Sequence, residues 1–209
     1  MNCQQCGATL STKNVTSLND VVKNEHAKRA LEVALVRDHS IGFVGGEEAT
    51  QLAQWGADHG LTSFSTTRCP CGYYGDYVRE CTCSVKTVIT WQSSNNYRQT
   101  MNAELVIETF RPTPDQILRW RERQGEEDDR VLSRVEQVVI RLPLPNPPEP
   151  LEPYSQSLLR AAISQLALTT LQVDSVISIS QSIAWLAGSA AIRVAHLAEA
   201  IQYQPRRIF

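Results

Sequence analysis

Cysteines are the residues whose chemistry stands out in this 209-residue chain. Four of the six lie in the stretch CPCGYYGDYVRECTC, as two Cys-x-Cys pairs: Cys69 with Cys71, and Cys81 with Cys83. Zinc takes a tetrahedron of ligands, and thiolates suit it. Gly72 and Gly75 let the intervening loop fold back so that the two pairs meet, Pro70 stiffens the first pair, and Tyr73 and Tyr74 can shield sulfur. A disulfide within Cys-x-Cys would close a strained ring. The expectation is a structural zinc with no open position for catalytic water. Four free thiols and a redox role stand as alternatives. Cys3 and Cys6 form a separate Cys-x-x-Cys knuckle with no partner knuckle of its own. It is read as spare thiols on a tail, as a second metal half-site completed by another chain, or as a source of ligand exchange with the later four.

The remaining chemistry-bearing residues are dispersed. His26, His39, His59 and His196 show no acid or nucleophile partner by spacing, and no serine lies in a G-x-S-x-G context. Glu126, Glu127, Asp128 and Asp129 read as a solvated loop or a helix N-terminus. Arg119, Arg121 and Arg123 read as a solvated helix face, with Trp120 as core, although stacking on a base is the competing role for that ring.

These residues must be positioned by a chain with 42% hydrophobic residues and a net charge of -2. That composition supports a packed core and offers no electrostatic footprint for nucleic acid. No apolar run approaches the length of a membrane span. The polar start MNCQQCGATL lacks an apolar signal core, so the expected compartment is the cytoplasm, where thiols stay reduced. Apolar spacing predicts a helix over 20–36, a buried strand at SIGFV, a turn and helix through GGEEATQLAQWGADHG, and a second strand at LTSFST. AELVIETF reads as a third strand, and TPDQILRWRERQ as a helix with Thr113 as N-cap and Pro114 at its first position. A further helix runs over 128–142. LPLPNPPEPLEP then reads as an extended linker, because proline fixes φ and removes donors. Helices over 154–166, 172–186 and 193–203 follow as a small bundle. The expected division is an N-terminal Cys-x-x-Cys lead (1–18), an α/β domain with the four-cysteine loop (19–142), a proline-rich linker (143–153) and a C-terminal helical domain (154–209).

Three stretches carry a resemblance. CPCGYYGD…CTCS, DVVKNEHAKRALEVAL and AGSAAIRVAHLAEAIQY resemble, in chain order, segments of bacterial magnesium-chelatase-like AAA+ proteins, the group that includes the competence helicase ComM. The resemblance implies a truncated AAA+-like α/β nucleotide-binding-type domain, zinc-stapled, followed by an all-helical lid. It also shows what is lost. Where the family carries a phosphate loop, this chain reads GGEEATQL: after Gly45 and Gly46, the lysine position is Gln51 and the hydroxyl position is Leu52. Glu48 and Thr50 replace loop glycines, and Glu47 and Glu48 bring carboxylates to the phosphate end of the next helix, where they cap it instead.

Only AQWGADHGLTSFSTTR separates Leu52 from Cys69, with no acidic Walker B strand, and Thr67 takes a sensor position. Met101 and Asn102 fall where the family has Asp-Arg, Arg98 is out of register, and Leu171 stands at the sensor arginine. Phosphoryl transfer depends on such positive groups. The expectation is therefore a pseudo-ATPase that neither needs ATP nor hydrolyses it, with no catalytic residue. It would act as an interaction or regulatory module for a protein partner, either an active AAA+ relative or another copy of itself. The alternatives are an ATP-binding ComM-like subunit linked to DNA processing or transformation, and a DNA-associated accessory factor, although composition gives nucleic acid no support. No membrane association is expected.

Overall fold

The computed structural model describes residues 17–67, 100, 102–121, 128–141 and 151–204. It is mostly helical around a small parallel sheet. A short 3-10 helix, Leu18–Asp20, precedes α1 (Glu25–Val36), β1 (Ile41–Gly45), α2 (Glu47–Asp58), β2 (Ser63–Thr67) and β3 (Leu105–Glu108). Then come α3 (Pro114–Arg121), α4 (Asp128–Arg141), α5 (Pro153–Leu166), α6 (Thr170–Leu186) and α7 (Val194–Gln202). The strand order is β2-β1-β3, with both neighbours parallel to β1. The central strand buries Ile41 and Phe43 completely, as expected for a parallel strand covered on both faces.

α1 begins later than its apolar pattern predicts. The 20–36 expectation is corrected to 25–36 because Lys23 and Asn24 adopt left-handed φ values of 63° and 58°. A helix cannot propagate back through such residues. Ser17 instead caps the separate 3-10 turn by accepting from the Asn19 N–H. From Glu25 onward the periodicity holds, and Ala27, Ala30, Leu31, Val33 and Ala34 are buried.

The later helices start where their caps place them. Thr113 Oγ1 accepts from the Gln116 N–H, and the Gln116 side chain accepts from the Thr113 N–H. Thr169 and Gln172 repeat this reciprocal arrangement at the start of α6. Ala167, at φ 49°, closes α5, its N–H bonding back to the Ile163 carbonyl. The segment expected as a helical lid packs through α6 against α1 and α4, and through α7 against α5 and α6. One apolar core runs through both parts of the chain: Leu31, Phe43 and Trp55 join Val176, Ile179, Ile183 and Leu197.

Ion pairs and polar side chains tie α1 and the residue after it to the helices packed on them. Glu32, nearly buried, takes Arg29 Nη1 at 2.6 Å and Arg134 Nε at 2.7 Å, linking α1 to α4. Arg29 Nε also reaches Glu199 on α7 at 3.1 Å. Arg37 donates to Gln181 and lies over the Trp185 ring.

Candidate site at the β1–α2 turn

In an open parallel sheet, ligands bind at the carboxyl ends of the strands. Here that edge comprises Gly45 at the end of β1 and Gly46 after it, the end of β2, and Glu108 at the end of β3 with Thr109 and Phe110 after it. β1 passes into α2 through Gly46 alone, so no multi-residue loop intervenes. Gly46 caps α2 with φ -94° and ψ -140° and offers no side-chain bond. A Cβ on Gly46 would stand 3.3 Å from Glu48 Oε2, which places that carboxylate over the turn. Glu47 and Glu48 fill the first turn of α2, where carboxylates complement the helix dipole.

The two positions that matter most for phosphate chemistry lie one turn on. Leu52 is fully buried and belongs to the apolar core. Gln51 is half-buried. Gly45 is held close against the neighbouring strand end: a Cβ there would run into the Thr109 hydroxyl and lie 3.1 Å from the Thr109 carbonyl oxygen. Thr109 itself donates its N–H to Val44 O at 2.9 Å. The turn is therefore packed from the β3 side.

Two clusters near the sheet went unread in the sequence. His39, 3% exposed, sets Nδ1 3.1 Å from Glu104 Oε1 and Nε2 3.0 Å from Ser182 Oγ. With Nδ1–H donating to Glu104, Nε2 accepts from the serine. The Glu104–His39–Ser182 series has the order of a hydrolase triad but is enclosed: Ser182 is 0% exposed in the last third of α6, out of reach of a substrate. The hydrogen bond from His39 holds the Glu104 carboxyl below its ordinary range, against the opposing effect of burial, and the Ser40 N–H helps. Asp128 is the second case. It is the third residue of the acid run and the first of α4, and its carboxylate accepts from Ser17 Oγ, the Leu18 N–H and Trp55 Nε1 at 3.1, 2.8 and 3.1 Å. Partners lying 65 to 143 residues apart leave no local signal.

Among the other predicted residues, His59 stacks on Trp55 and its Nδ1 reaches the Trp55 carbonyl, while His26 Nε2 meets Glu108 O. His196 Nδ1 accepts from the Arg193 N–H and so caps α7. Arg119 is exposed, Leu171 is exposed at the start of α6, and Asn102 is exposed in the turn before β3. Cys3, Cys6, Cys69, Cys71, Cys81 and Cys83 lie outside the described residues, as do Arg98, Met101 and Arg123, and nothing is described of the side chains of Thr67, Trp120 and Arg121. Among the described residues, no group of three or more His, Cys, Asp or Glu side chains could hold a metal, and no helix is long and apolar enough to cross a membrane.

Residues 116–204 match the family model described as magnesium chelatase, subunit ChlI C-terminal. The match runs from within α3 through the end of α7 and covers less than half of the chain. It supports a magnesium-chelatase-like, AAA+-type origin for this helical segment. No curated protein matches the chain.

Proposed function

We propose that this chain is a non-catalytic magnesium-chelatase-like AAA+ remnant of the ComM-like group that serves as an interaction or regulatory module in the cytoplasm. The observation that carries the reading is the passage of β1 into α2 through a single glycine. A phosphate loop needs successive backbone N–H groups curled around an anion, a lysine on the β- and γ-phosphates and a hydroxyl for Mg²⁺. The turn offers instead two carboxylates and a leucine sealed in the core, and α2 contains neither lysine nor arginine. Those residues do not fit a triphosphate. The retained helical segment supports a role in binding a protein partner, whether an active AAA+ relative or another copy of the chain.

The thiolate pairs Cys69/Cys71 and Cys81/Cys83 support a structural zinc on their spacing alone. Within this proposal the metal holds a loop and supplies no chemistry. Metal content also tests Cys3 and Cys6: two zinc ions per chain, or three per assembled pair of copies, would assign them a site in addition to the four-cysteine one.

Titration with Mg²⁺ and a non-hydrolysable ATP analogue tests the reading. No binding at millimolar ligand is expected. Micromolar affinity would establish the alternative, an ATP-binding subunit linked to DNA processing.

A further inference from the structure

The outer edge of β3 is occupied by the chain itself. In a strand, successive peptide groups face opposite sides. Leu105 donates to Ser40 O at 3.1 Å and Thr109 to Val44 O at 2.9 Å, so the odd-numbered peptides of this segment face β1. The even-numbered ones of β3 face away, and side chains or the C-terminal turn meet the Glu104 carbonyl, the Val106 N–H, the Glu108 carbonyl and both groups of Phe110. Gln204 Nε2 donates to Glu104 O at 3.2 Å, and the Val106 N–H donates to Tyr203 O at 2.8 Å. His26 Nε2 lies 2.7 Å from Glu108 O, to which it donates. Asn24 closes the end: its Oδ1 accepts from the Phe110 N–H at 2.8 Å and its Nδ2 donates to Phe110 O at 3.0 Å.

The four sealing residues come from two distant places, the start of α1 and the end of α7. Asn24 holds its clamp from a buried, left-handed backbone position. Tyr203 is anchored through its hydroxyl, which donates to Glu199 Oε1 at 2.8 Å, and Glu199 in turn takes Arg29 on α1. An uncovered edge with the sequence LVIETF is apolar, β-branched and self-complementary, the kind that recruits a further strand.

We propose that Asn24, His26, Tyr203 and Gln204 form an edge seal that denies β3 to the same strand of a second copy of this chain. The seal is independent of whether the protein binds nucleotide. It directs any self-association of the intact chain to another surface.

The test is sedimentation velocity across a concentration series on the full chain, comparing wild type with the triple variant Asn24→Gly, His26→Ala, Tyr203→Ala, the last of which removes the hydroxyl anchor that holds the C-terminal turn, with Tyr203 O and Gln204, against the strand. Glycine keeps the left-handed backbone at position 24. The folded variant is expected to self-associate, its weight-average mass roughly doubling with concentration as an uncovered edge recruits a strand. Adding Val106→Pro removes the outward N–H, which an edge strand tolerates, and should abolish the association. A folded triple variant that keeps the wild-type mass overturns the proposal, as does association that survives Val106→Pro. Should the triple variant fail to fold, amide exchange in the wild type decides. Slow exchange at Val106 and Phe110 supports a closed edge, and exchange as fast as in exposed loops overturns it.

Discussion

His39 and Glu104 meet at 3.1 Å across 65 residues of sequence, and the other ring nitrogen of His39 reaches Ser182 on α6. One buried imidazole therefore joins the end of the sheet to the helical bundle. Its acid partner also takes the Ser40 N–H at 2.9 Å. Because the hydrogen bond from His39 lowers the Glu104 pKa from its ordinary 4.5, the contribution of that carboxylate to stability is complete above pH 4.5. It is lost as pH falls from there through the folded-state value. Urea unfolding of wild type is expected to weaken across this acid window, and Glu104→Ala to show a flatter profile there. At neutral pH the alanine variant should be less stable by about 1–2 kcal/mol, since it leaves the buried His39 short of one partner. Equal pH slopes in the two proteins would contradict this.

The buried acid Glu32 makes a prediction decided by exposure. Its side chain is 6% exposed, but its partners Arg29 and Arg134 are 35% and 44% exposed. Removing one partner of a fully buried pair costs roughly 3–5 kcal/mol. Glu32→Ala leaves two arginines that can return to water, so about 1–2 kcal/mol is expected. Arg134→Ala should cost about 0.5 kcal/mol, because Arg29 still neutralises the acid. Chemical denaturation of the two variants checks the order, and the reverse order would show that the arginine carries the link.

Much of the sheet and the helix starts were legible. The strand, turn and helix over 41–58 follow from apolar runs bounded by glycine, and Thr113 with Pro114 marks its helix by local chemistry. The start of α1 was not legible, because Asn24 takes its conformation from a tertiary clamp on Phe110 that periodicity cannot register. The partners of His39 and Asp128 were not legible for the same reason, because they are distant in sequence, although Asp128 does lie at a helix N-terminus, one of the two readings of its acid run. The degenerate turn was legible as chemistry, from Glu47, Glu48 and Leu52. Its tight packing against Thr109 was not, since that close approach exists only once β3 pairs with β1.

Restoring phosphate-loop residue types should fail at the level of folding. Leu52 is fully buried, so Leu52→Thr removes apolar volume and inserts a hydroxyl into the core, at about 2–4 kcal/mol. Gln51→Lys is half-buried and should be tolerated. The double variant is expected to unfold at lower urea than wild type and to gain no affinity for Mg²⁺ and an ATP analogue, measured by calorimetry. Tight nucleotide binding by that variant would show that the turn can reopen into a loop.

The thiolate reading predicts close to one zinc per chain in purified protein, with Cys69→Ser and Cys81→Ser each removing it, because loss of one of four ligands opens the tetrahedron. Elemental analysis with thiol titration distinguishes the alternatives: metal-free protein with reactive thiols would establish free cysteines, and metal-free protein without them a redox pair.

The last prediction concerns His196. Burial, and then the nearby Arg193 charge, lower its pKa from the ordinary 6.5. Its Nδ1 accepts from the Arg193 N–H at 3.2 Å, a bond that only an unprotonated nitrogen can make. The cap is therefore present above pH 6.5 and is lost as pH falls through the lower folded-state value. α7 carries Tyr203 and Gln204 at its end, so fraying at its start should be felt at the β3 edge as well. Amide exchange at Leu197 and Val106 is expected to quicken together as pH is lowered through that window, after correction for the intrinsic rate. His196→Asn, which retains an acceptor without the titration, should remove the pH dependence, and a variant that keeps it would assign the effect to another group.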